Sequence, residues 1–162
     1  VSPSSVSAAR SSQIEVEKAA QERAVQGLDP DARKRAEDVA SRFAQAMNAR
    51  TWQTSRQQWR EALAPTVSPE LLKTLDVDRD WESDAQHRFV QAKASTSVQV
   101  LESRAQTVQG ERVDVALMVA TETTGEDPWV TAPRTERPMT VVVDTTQNRV
   151  VEQIDMTPHG GL

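Results

Sequence analysis

The stretch VQAKASTSVQV, residues 90–100, changes the period of the chain from helical to two. Val90, Ala92, Ala94, Thr96, Val98 and Val100 alternate with polar neighbours, as a half-buried strand requires. The alternation recurs in RVDVALMVAT (112–121), where Val113, Val115, Leu117 and Val119 share a face. Beyond a long loop bearing Gly and Pro, TGEDPWVTAPRTERP (124–138), come MTVVVD (139–144) and RVVEQIDM (149–156), joined by TTQN as a hairpin. The C-terminal half therefore reads as four mostly antiparallel strands.

Upstream the period is helical. DPDARKRAEDVASRFAQAMN (29–48) opens with Asp29 as a cap and Pro30 at the first helical position. Ala32, Ala36, Val39, Ala40, Phe43 and Met47 then fall on one face, with Lys34, Glu37, Asp38, Ser41, Arg42 and Gln45 on the other. TSRQQWREALAP (54–65) carries a capping box, Ser55 with Gln58, an inward pair Trp59 and Leu63, and a stop at Pro65. SPELLKTL (68–75) is a third helix, capped by Ser68, with Leu71, Leu72 and Leu75 inward. Trp52, Trp59 and Trp81 are expected to line the helical side of the core. Helices segregated from strands predict an α+β fold: three N-terminal helices packed on a curved, mostly antiparallel four-stranded sheet.

Residues 1–28 read as a linker or helical stalk. The Ser-rich VSPSSVSAARSS has linker composition, and QIEVEKAAQERAVQ (13–26) has good helix formers but a weak apolar stripe, with Gly27 as its stop. A chain opening on Val1 in this way is expected to trail a membrane anchor or signal peptide. The folded domain is expected over 29–157 and a flexible tail over 158–162.

The inventory excludes several kinds of chemistry. The 162 residues carry 19 Lys and Arg against 24 Asp and Glu, net charge −5, with no basic stripe for nucleic acid. There is no Cys and no Tyr, and the two histidines are His87 and His159, so thiolate chemistry and a multi-histidine metal cage are impossible. No apolar run approaches the about 20 residues of a membrane helix. The acidic run DVDRDWESDA (76–85) imitates a calcium loop, but Trp81 stands where the loop needs Gly and His87 where it needs a bidentate Glu. It reads instead as a polar connection, with Asp80 capping a short helix that begins near Trp81. No catalytic residue, cofactor or metal is expected.

The cadence of a long amphipathic helix, then W…AL.P.VSPELL..L, then long strands ending VVVDTTQNRVVEQI resembles the cone-shaped nuclear transport factor 2-like superfamily. Within it, the chain resembles extracytoplasmic domains of Gram-positive conjugation proteins, of the TcpC and VirB-eight class. That resemblance implies a non-enzymatic scaffold domain of a conjugation (type IV secretion) machine, tethered to the cell membrane by an upstream helix. It also implies partners among the other machine subunits, a homo-oligomer, and no direct contact with nucleic acid. The alternative is a ligand-binding or enzymatic cone domain with a pocket between sheet and helices.

Three residues stand out as site candidates. His87 could act as an acid/base near Asp84 or Asp80. Glu152 shares strand parity with Val150, Ile154 and Met156, which points it inward unless a bulge turns it to solvent. Trp129, in GEDPWVT, is either an exposed interface anchor or a lid folded over the open end of the cone. His159 falls in the tail.

Overall fold

The computed structural model describes residues 3–154, with side chains described over 12–154. Five helices and five strands follow one another in chain order: α1 (Pro3–Gly27), α2 (Pro30–Asn48), β1 (Arg50–Thr51), α3 (Arg56–Leu63), α4 (Pro69–Arg79), α5 (Asp84–Gln91), β2 (Ser95–Gln109), β3 (Arg112–Thr124), β4 (Ala132–Asp144) and β5 (Arg149–Ile154). The strands form one antiparallel sheet in the order β1-β2-β3-β4-β5.

The caps act as their residue types dictate. The Ala32 N–H donates to Asp29 Oδ2 at 3.2 Å, opening α2 just ahead of Pro30. At α3 both halves of the capping box form, Gln58 N–H to Ser55 Oγ and Ser55 N–H to Gln58 Oε1. Ser68 caps α4 in the same way.

α2 lies in the concave face of the sheet. Its buried stripe, Ala36, Val39, Ala40, Phe43 and Ala44, meets Val113, Val115, Leu117 and Val119 of β3 and Val141 and Val143 of β4. The small Ala residues let the helix axis approach the sheet closely. The curl comes from β2, whose register slips between Val100 and Glu102 and again between Ala105 and Thr107. Each bulge adds local twist and bends the strand around the helix. Beside the second bulge Glu37 reaches across: its Oε2 accepts the Ala105 N–H at 2.8 Å, and its carbonyl accepts the Ser103 hydroxyl at 2.7 Å. Glu37 had been assigned to the solvated side of the helix; its carboxylate instead satisfies a strand amide.

The sheet edges are covered in part. β1 pairs with the start of β2, and the segment Thr66–Ser68 runs beside β5 through a parallel bridge from Val67 to Val150.

Several local expectations are corrected. Among the described residues the sheet has five strands and there are five helices, because β1 is only two residues long, α1 is helical from Pro3, and the short helix expected from Trp81 is α5, which runs from Asp84 into the stretch read as alternating. Val90 and Gln91 belong to α5, Ala92 caps it, and β2 begins only at Ser95. Asp80 does not start a helix. It ends α4 in the left-handed conformation (φ 51), and Ser83 caps α5. Trp52 is 37% exposed and lies outside the core, whereas Trp59 is buried and Trp81 packs against it. β4 extends back to Ala132, so the connection from β3 is short. Pro133 and Pro138 are accommodated because the described part of β5 pairs β4 only from Thr140 onward. The Ser-rich start is helical from Pro3, and the lower part of α1 leans on β2, where Val25 is buried and Gln21 Oε1 accepts the Val108 N–H. Met156, His159 and the tail lie outside the described residues.

Candidate functional site

At the open end of the cone, between α4, the end of α2 and the sheet, lies a cavity of about 670 Å³. Met47, Trp59, Leu71 and Leu75 form its apolar wall. Its polar wall includes Arg50, Arg79, Asp78, Thr121, Thr123 and Gln153. The strand residues reach it by alternation, since Thr121 and Thr123 continue the face of Val113 to Val119 beyond the point where α2 ends.

Both arginines are held on aromatic rings. The Arg50 guanidinium lies 3.9 Å from the centre of the Phe89 ring, and its Nη1 donates to Gln86 Oε1 at 3.2 Å. Arg79 lies 4.0 Å from the Trp81 ring and 4.9 Å from that of Trp59, and those two indoles meet edge-on at 5.7 Å. Burial lowers the pKa of Arg50. Burial, and then the positive charge of Arg50, lower that of Arg79 to about 10, with Asp76 opposing. Among the described residues neither guanidinium has a carboxylate within ion-pair distance, and the buried Arg79 Nε has no hydrogen-bond partner.

The carboxylate that could have neutralised Arg79 is engaged elsewhere. Asp76 is 5% exposed and accepts from Arg56 Nε at 3.0 Å, Arg56 Nη2 at 2.6 Å and Trp81 Nε1 at 3.1 Å, with Arg60 at 3.5 Å. The Arg56 hydrogen bonds hold its carboxyl below the usual range, against the opposing effect of burial. The first residue of the acidic run is thus a structural tie between α3, α4 and the Trp81 turn. Among the described residues no three His, Asp or Glu side chains group as metal ligands.

A second feature is the turn between β3 and β4. Asp127 organises it: its Oδ1 accepts the Trp129 N–H at 3.0 Å and its carbonyl accepts the Val130 N–H at 3.0 Å. The flanks are pinned, because the Glu126 N–H donates to Ala92 O at 2.7 Å and Val130 packs on the small cluster Phe89, Ala92 and Ala94. Gly125 allows a close approach there, since a Cβ would sit 3.2 Å from both Ala92 O and Ala94 Cβ and its neighbours would have to give by a few tenths of an ångström. Between these anchors the Trp129 side chain is 92% exposed. It is not a lid.

The structure does not bring the other candidates together. His87 is exposed on α5, and Glu152 is exposed on β5; neither lines the cavity. The register slip between Val142 and Val143 undoes the inward parity of Glu152. Arg50 and Arg79 were missed because an arginine near a helix end gives no sequence signal of burial. Their aromatic partners were the available hint.

No protein-family model matches the sequence, and no curated protein matches it either. Two solved structures share the fold. The transfer protein TraH of the Gram-positive conjugative plasmid pIP501 superposes with a TM-score of 0.52 at 6% identity, over 78% of this chain and 95% of its own. CagV of Helicobacter pylori strain 26695, a VirB8 homologue of its type IV secretion system, superposes with a TM-score of 0.55 at 11% identity, over 75% of this chain and 95% of its own. The α+β half-barrel is the fold that these two proteins share.

Proposed function

We propose that the chain is a non-enzymatic assembly subunit of a conjugation or type IV secretion machine. In this reading it stands outside the cell membrane on an N-terminal anchor, self-associates, and contacts other machine subunits, not DNA. The observation that carries the proposal is the shared fold with TraH and CagV, a conjugative transfer protein and a secretion-system component. Fold alone does not dictate function, and one feature of this chain supports the same reading. An almost fully exposed Trp on a turn pinned at both ends suits a contact residue, because indole is a frequent interface anchor and the turn is already ordered.

The test is a photoreactive amino acid placed at position 129 in the full-length protein within cells carrying the transfer apparatus. Cross-links to another apparatus subunit or to a second copy are expected from position 129 and not from position 152. Equal cross-linking from both positions, or none from 129 in transferring cells, would refute the proposed contact surface.

A further inference from the structure

We infer that the cavity at the open end of the cone binds a monocarboxylate with an apolar body, the carboxylate meeting Arg50 and Arg79. The inference stands apart from the scaffold reading, since Trp129 does not line the cavity. Three observations carry it.

The first is an unmet demand. Two guanidinium groups, Arg50 and Arg79, line one cavity and are drawn partly out of water. A folded chain ordinarily neutralises such groups, because ring stacking and a neutral hydrogen bond replace only part of the hydration lost by a partly buried charge. Here Asp76 is turned toward Arg56 and Trp81, and among the described residues the buried Arg79 Nε–H has no acceptor. An arginine fork presents parallel donors at the spacing of carboxylate oxygens, so an acceptor of that geometry meets both needs.

The second is the charge sum. Arg50 and Arg79 against Asp78 leave one net positive charge on the cavity wall. That balance fits a monoanion, and Asp78 would repel part of a phosphate dianion. The third is shape. Met47, Trp59, Leu71 and Leu75 line the same cavity as the arginines, and the volume of about 670 Å³ falls within the range of pockets for drug-sized ligands. The aromatic rings behind Arg50 and Arg79 hold the guanidinium groups in place before a ligand arrives, which lowers the ordering cost of binding.

The experiment titrates the ¹⁵N-labelled protein with 4-phenylbutyrate, with its neutral amide 4-phenylbutyramide, and with inorganic phosphate. The Arg79 Nε–H and Trp59 indole N–H signals report on the cavity. Saturable shifts are expected with the carboxylate alone, with Kd raised about tenfold by Arg50→Gln, the order of one lost charge-assisted hydrogen bond. Arg50→Gln leaves the Arg79 stack on Trp81 in place, so a fold failure of Arg79→Gln does not decide the matter. Asp78→Asn removes the repulsion and should admit phosphate. Absence of saturable shifts with 4-phenylbutyrate, equal binding of the amide, or unchanged affinity in Arg50→Gln would each overturn the assignment.

Discussion

Replacing Phe43 with Ala empties the middle of the interface between α2 and the sheet. Phe43 has no solvent exposure, and its helical neighbours on that face are Ala36, Val39, Ala40, Ala44 and the partly buried Met47. The alanines are too short to swing into the void, Val39 and the facing Val113, Val115, Val141 and Val143 are β-branched and stiff, and only Met47 is long and flexible enough to fill part of it. The cavity therefore stays largely open, and the cost should fall in the range of about 3–5 kcal/mol seen for buried Phe→Ala changes. Domains are typically stable by roughly 5–15 kcal/mol, so the variant should remain folded but close to its limit. At about 2–4 °C per kcal/mol for a chain of this size, Tm should drop by roughly 6–20 °C. Urea titration of wild type and variant, read by Trp fluorescence, gives the difference directly. The slope with denaturant should be unchanged, because the same surface is exposed on unfolding. Phe43→Leu, which refills most of the space, should recover most of the loss. A loss under about 1 kcal/mol in Phe43→Ala would mean that α2 does not pack its Phe43 face into the concave sheet.

Three further outcomes follow from the same contacts. Glu37→Ala strips the acceptor from the Ala105 amide and should cost about 1–3 kcal/mol, whereas exposed Glu61→Ala should be nearly silent in the same titration. The Asp76 carboxyl titrates below its unfolded value, chiefly through Arg56, so its stabilisation is complete above the ordinary carboxylate range of about 4 and is lost as pH falls through the lower folded value. Asp76→Asn should flatten that part of the acid limb in melts between neutral pH and pH 2 or so, and an unchanged limb would refute the tie. Calcium at millimolar concentration should leave Tm where it is, since Asp76 is already engaged; a rise abolished by Asp78→Ala would restore the calcium-loop reading.

What the sequence made legible was what short-range rules control. Asp29 with Pro30, the Ser55–Gln58 capping box and the strict alternation from Val113 to Val119 each specify one local geometry, and each forms. A short helix beyond Asp80 was legible, but its end escaped because Val90, Gln91 and Ala92 happen to alternate like a strand, and only Phe89 of the helix is buried. Its start was nonetheless written in the chain: Ser83 followed by Gln86 is a capping-box spacing, although Gln86 gives its side-chain oxygen to Arg50. The first half of β4 escaped because Pro133, Pro138 and a charged stretch between them look like loop, yet β3 supplies its pairing and leaves its sides exposed. The cavity was the least legible feature. Arg50 and Arg79 are 29 residues apart in sequence and become neighbours only when β1 closes on β2 and α4 packs over the cone mouth.

The central claim is that this domain works by contact through its exposed turn and not by chemistry. The most direct measurement is transfer frequency in cells whose own copy is deleted and replaced by full-length variants. Trp129→Ala should reduce transfer while the isolated domain keeps its wild-type melting curve, because the removed indole touches almost nothing in the fold. His87→Ala and Glu152→Ala should leave transfer at the wild-type level. Loss of transfer in either of these, with the domain still folded and Trp129→Ala fully active, would contradict the account.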